Sequence, residues 1–158
     1  MKHRLSIAMA ITTLCGPLLA TAQSASQQQP VGTFDKGSLV LAYYRSPRWL
    51  NQVKEKRAEQ QAARAAGDSA RVKELEKWGR ESQNLAHRQL SGKAPLDNIL
   101  EDLKPAFPQL CRNRGVSAIV ADPPAGTPTV DVTSDLMDLL EADARTRSMA
   151  EELRAKRK

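Results

Sequence analysis

The sequence has few of the side chains that catalysis and metal binding rely on. It carries two cysteines and two histidines in 158 residues, and Cys15 and His3 fall within the first 22. Those 22 residues are expected to be removed. The remaining Cys111 and His87 supply no intrachain disulfide, no zinc ligand set and no Cys-His pair with a second well-placed partner. A phosphate-cradling glycine loop is also missing, since Gly126 stands alone among prolines. Neither enzymatic activity nor a metal or other cofactor is expected. Aromatic residues make up only 4% of the chain. None interleaves with the basic tail Arg154–Lys158, which therefore has nothing to stack on bases, and nucleic acid is not expected as a partner. A soluble helix end suits that tail, because cations are favoured at a helix C-terminus. No apolar run reaches the ~20 residues that cross a bilayer, so membrane contact is expected to be at most peripheral.

What is present begins with an address. Lys2, His3 and Arg4 precede an apolar stretch from Leu5 to Leu19, and Ala20-Thr21-Ala22 supplies the small residues of a signal-peptidase site. Cleavage after Ala22 and export to the periplasm are the expectation. Leu14 before Cys15 is too bulky for a lipidation site. Removing 22 of the 158 residues leaves 136, enough for one domain, and losing Lys2 and Arg4 lowers the net charge from +6 to +4. Such a basic bias attracts anionic partners, although a solvated surface is its ordinary role. Cys111 follows Leu110 in an apolar pattern and reads as a small core residue.

Residues 23–30 are polar and low in complexity, a disordered leader. Order begins at Val31. The apolar run Leu39 to Tyr44, between a glycine and a proline, suits a buried strand or a short helix. In the first case Asp35-Lys36-Gly37 is a hairpin turn; in the second Ser38 caps the helix. Ser46-Pro47 is a helix start, and the alanine-rich helix it opens, to about Ala66, has little apolar area to bury. Gly67-Asp68-Ser69 turns the chain into a second helix from about Ala70 to Leu90, with a seam at Val72, Leu75, Gly79, Ser82, Ala86 and Gln89. At 1.5 Å per residue the pair would project about 30 Å. From Pro95, the pattern Leu96, Ile99, Leu100, Leu103, Phe107, Leu110 is a core-facing helix that Pro105 and Pro108 must kink or divide. Gly115 stops it. Residues 116–121 (VSAIVA) read as a strand buried on both faces, Thr129 to Val132 as another, and Thr133 or Ser134 as the cap of a helix through Leu140.

The segment VGTFDKGSLV at one end, and VSAIVADPP followed by VDVTSDLMDLL at the other, resemble the Skp/OmpH family of periplasmic chaperones. The resemblance implies that Leu39 to Tyr44 is helical and that Val31 to Phe34 pairs with strands after Gly115. The implied fold class is α+β: a small three-stranded sheet body with a projecting antiparallel helical hairpin. The body would comprise residues 31–46 and 95–142, the hairpin arm residues 47–94, and a charged helical tail residues 143–158. The arms are shorter than the family's usual ones. The implied function is that of an ATP-independent holdase, a homotrimer binding unfolded outer-membrane or envelope proteins. Trp49, Val53, Val72, Leu75 and Trp78 are the candidate client-binding residues, though the first two also suit the arm base and the others the seam of the hairpin. A periplasmic scaffold that docks one folded partner through the helical hairpin is the alternative.

Overall fold

Asp35 turns the chain from strand into helix. In the computed structural model, which describes residues 29–156, strand β1 (Val31–Thr33) is followed by helix α1 (Lys36–Arg45). The Asp35 carboxylate accepts from both the backbone N–H and the hydroxyl of Ser38 at 2.6 Å. Asp35, not Ser38, is thus the cap, and Ser38 is buried in the first turn. Leu39, Val40 and Ala42 are almost wholly buried. The apolar run is helical because other helices surround it, which suits a helix that is hydrophobic on most sides. The signal peptide expected at residues 1–22, and the leader as far as residue 28, lie outside the described residues.

Ser46 ends α1 and begins α2 (Pro47–Ala65). Its hydroxyl donates to the Tyr43 carbonyl at 2.7 Å and accepts from the Trp49 N–H at 3.2 Å, so one side chain serves two helix ends. After a turn in which Gly67 takes φ +72°, Asp68 caps α3 (Ser69–Leu90). The apolar stretch from Pro95 is divided into α4 (Asp97–Leu103), a 3-10 turn at Lys104–Ala106, and α5 (Phe107–Arg114). Pro105 and Pro108 lack the N–H that a continuous helix needs, which accounts for the break. Strand β2 (Thr129–Asp131) leads into α6 (Thr133–Leu139), and Asp143 caps α7 (Ala144–Ala155).

The expected fold class is overturned here. The chain is mostly helical, and its only sheet among the described residues has two strands, β1 and β2, paired in parallel with Val31 opposite Thr129. The third strand foreseen at 116–121 does not form. Val116 is taken up by the end of α5, its N–H bonding the Cys111 carbonyl at 3.1 Å. The next residues run beside β1 only briefly, with Gly32 N–H donating to the Ala118 carbonyl at 2.7 Å and Val120 N–H to that of Gly32 at 2.9 Å. A single bridge, Gly32 to Ile119, results. Ser117 and Ala118 are exposed, so the segment is not buried on both faces either. Gly32 itself sits where a Cβ would lie 3.3 Å from the side chains of Ile119 and Val132, a tight approach to which both must yield by a few tenths of an ångström.

Helices therefore make the body. Leu39, Val40, Ile99, Val132 and Leu136 are its most buried members, and α1 lies in contact with α7, α3, α6 and α2. The residues after Asp143 lie against α1: Thr146 and Ala150 of α7 are buried, and Arg45 Nε donates to the Thr146 hydroxyl at 3.2 Å. Cys111 is half-buried.

Among the described residues, Glu141 alone combines a side chain with positive φ, +54°. It closes α6, with its own N–H bonded to the Asp138 carbonyl and that of Ala142 to the Met137 carbonyl, both at 2.9 Å. Glycine is the residue that adopts this left-handed closure without a Cβ penalty. Glu141→Gly is expected to stabilise the protein by about 0.5–1 kcal/mol, seen as a higher urea midpoint at unchanged slope; a lower midpoint would contradict the assignment of strain.

Candidate functional site

The chain holds two Trp, two Tyr and two Phe, and both Trp and both Tyr meet at one place. Tyr44 stands edge-on to Tyr43 (ring centroids 5.2 Å apart) and to Trp49 (4.9 Å), and Trp49 faces Trp78 of α3 at 6.0 Å with a 30° tilt. The helix break at Ser46-Pro47 produces this, because it swings Trp49 back against the last turn of α1. Edge-to-face geometry suits the ring quadrupoles. Both tyrosine hydroxyls of the cluster are engaged. The Tyr43 hydroxyl donates to Asp102 at 2.9 Å, and Arg48 reaches the other oxygen of that carboxylate at 3.1 Å. Burial, reinforced by the Asp102 bond, pushes the Tyr43 phenol up to about 12. Tyr44 donates to the buried Gln89 at 2.8 Å, whose amide in turn bonds the Pro95 carbonyl and Asn98, both at 2.6 Å. Burial raises the Tyr44 phenol as well. The network ties α1, α2, α3 and α4 together at one end of the α2–α3 pair.

The far end is held differently. Ala63 is the one buried residue of α2, so little apolar area cements the helices there. Charges do the joining. Glu59 bonds Arg71 and, at 3.1 Å, Lys56; Arg64 bonds Glu76 at 3.0 Å; Arg71 also reaches Glu74 at 2.5 Å. The bonds from Arg71 and then Lys56 hold the Glu59 carboxyl below the usual carboxylate range. Lys56, Glu59, Arg71 and Glu76 are half-buried and Arg64 and Glu74 exposed, so water still reaches these pairs and salt weakens them.

Between the aromatic end and the ionic end, α2 and α3 leave an open cleft of about 640 Å³. Its apolar wall is Trp49, Val53, Leu75, Trp78 and Ala86, and its rim carries Arg57 and Arg80. A second cleft, of about 780 Å³, lies on the other side of the Trp pair and is lined by Arg48, Glu55 and, from α4, Asn98, Glu101 and Asp102. Four of the five residues singled out from sequence thus share the first cleft: Trp49, Val53, Leu75 and Trp78. Val72, half-buried on α3, does not line it. Sequence reasoning missed Tyr44, Gly79 and the two arginines. The crowding of Tyr43, Tyr44 and Trp49 around one helix break in an aromatic-poor chain was a usable signal for the first. Nothing in the local sequence distinguished Arg57 or Arg80 from other solvated charges.

His87 is exposed on α3. Among the described residues no group of His, Cys, Asp or Glu is placed to hold a metal ion, and no helix is long and apolar enough to cross a membrane. The arrangement is suited to non-covalent recognition: a flat aromatic wall, a shallow apolar floor and cations at the rim. No family model, characterised protein or solved structure matches the chain.

Tyr43 ties this site to pH. A phenol whose pKa is raised on folding contributes stability that is present below the unfolded value of about 10 and is lost as pH rises through its folded value of about 12. Stability is therefore expected to fall across that alkaline window, and to fall less in Tyr43→Phe. Asp102→Asn should lower the Tyr43 value without restoring it fully, since burial is the larger cause. Phenolate absorbance against pH reads both effects.

Proposed function

We propose that this chain is an exported, ATP-independent holdase that binds unfolded segments of envelope or outer-membrane polypeptides in the cleft between α2 and α3. The observation that carries the reading is that the cleft brings both tryptophans to one wall beneath two rim arginines, on a helix pair whose far end is joined mainly by ion pairs within reach of water. An apolar wall with adaptable polar surroundings accepts varied side chains, and a weakly cemented pair opens at small cost. The resemblance of residues 31–40 and 116–140 to the Skp/OmpH chaperones supports the same reading. Trimeric association, which that resemblance implies, belongs to the proposal.

The second reading, a scaffold docking one folded partner, is favoured by a different feature. The cleft is already formed, its walls fixed by the Tyr43–Asp102 and Tyr44–Gln89 bonds. The two readings separate by selectivity: a holdase captures several unrelated unfolded chains, a scaffold one folded protein at fixed stoichiometry.

The protein is expected to delay aggregation of an unfolded membrane β-barrel protein diluted from urea. Trp49→Ala/Trp78→Ala should raise the concentration needed for half-protection about tenfold, as loss of aromatic anchors does elsewhere. Absence of any delay with the intact chain removes the holdase reading. Mass in solution tests the assembly, since three chains per particle are expected and a clear monomer would remove the trimer.

A further inference from the structure

The two grooves that flank the Trp49–Trp78 contact are unequal. One is bordered by an acidic helix: Glu101 and Asp102 of α4 line it, and Asp102 bonds Arg48 of α2 at 3.1 Å. The other is the open cleft, and there the charges have the opposite sign. Glu76 is engaged by Arg64 and Gln60, and Lys56 by Glu59. Arg57 and Arg80 have no partner among the described residues and stand at the rim. The floor between them is Val53, Leu75 and Gly79, and a Cβ added at Gly79 would meet nothing within 4 Å. Mid-helix glycine carries a helix-propensity cost, yet here it keeps the floor low.

We infer that this open groove receives an acidic amphipathic helix of a partner polypeptide. Both walls are helices whose main-chain groups are already bonded within themselves, so an extended segment laid between them would find no partners for its own N–H and C=O groups. A helix brings those groups satisfied and offers only side chains, which is what the groove reads. Facing stripes at Trp49, Val53 and Gln60 on α2, and Leu75, Gly79 and Ala86 on α3, keep helical spacing. From Trp49 to Gln60 the groove runs about 17 Å, three helical turns. Arg57 and Arg80 then pair with carboxylates flanking the partner's apolar face, as Arg48 does with Asp102 of α4 in the other groove. The inference rests on the reading of this cleft as the polypeptide-binding site and names the class of segment bound there.

Trp49 and Trp78 are the chain's only tryptophans, so intrinsic fluorescence reports this groove directly. The probe is a peptide of about twelve residues with leucines at helical spacing and flanking glutamates. It is compared with a copy carrying lysine for glutamate and with a copy broken by a central proline. The acidic peptide is expected to shift the fluorescence saturably and to gain helical circular dichroism on binding. Arg57→Glu/Arg80→Glu should weaken it about tenfold. Gly79→Leu, which fills the floor, should abolish binding, while Gly79→Ala leaves room and retains it. Thermal melts confirm that these variants fold. Equal binding of the lysine or proline peptide, or no response to the acidic one, overturns the inference. If delayed aggregation persists alongside such a result, the overturn falls on the helix inference alone. If the acidic helix binds but aggregation is not delayed, the inference stands and the holdase reading fails.

Discussion

Everything else in the structure hangs on the burial of α1. Leu39, Val40 and Ala42 are shielded on several sides at once, because α7, α6, α3 and α2 each lie against this ten-residue helix. A helix of that length is marginal alone. Its stability comes from the company around it, and so does the position of each neighbour: Tyr43 and Tyr44 fix the base of the α2–α3 pair, Arg45 meets α7, and Asp35 joins the helix to the strand before it. The two-stranded sheet closes one edge of this arrangement and does not organise it.

The α2–α3 pair changes character along its length. At its base the helices are joined by ring contacts and by the buried Gln89; toward the turn the joining groups are carboxylates and guanidinium groups that water reaches. Shielded contacts hold their strength in salt, and exposed ones do not. The cleft lies between the two regimes.

Local signals were legible where proline or glycine decides the outcome, and not at the caps of α1 and α6, where Asp35 and Val132 stand in place of the expected Ser38 and Thr133 or Ser134. Pro47 after Ser46 starts α2, Gly67 turns the chain, Pro105 and Pro108 divide the apolar helix, and Gly115 takes φ +64° at the end of α5. Pairing was not legible in the same way. The apolar, β-branched residues 116–121 have the composition of a strand, but a strand exists only by its partners. Here the α5 ending takes Val116 and β1 offers its edge over too short a length. The fold class failed because helices make the body and only two short parallel strands pair, where a three-stranded sheet body with a projecting hairpin was expected. The cleft was partly legible because tryptophan is conspicuous in an aromatic-poor chain. Its arginines were not, because a charge becomes functional through what stands opposite it across space. Val72 shows the converse: a good seam position by spacing that lies outside the cleft.

Parallel pairing of β1 with β2 joins segments from opposite ends of the described chain. The Asp35 N–H reaches the Thr133 hydroxyl 98 positions further on, and every helix from α1 to α5 lies between the paired strands. Contacts of such long range form slowly, since a large loop must close first. A chain that emerges amino end first must therefore carry β1 unmatched until about four-fifths of its 158 residues have emerged. Completion of the native state is deferred to the last part of delivery, because α6 and α7, which cover α1, follow β2 in the chain, and a pause before β2 leaves both the strand and this helix without their later partners.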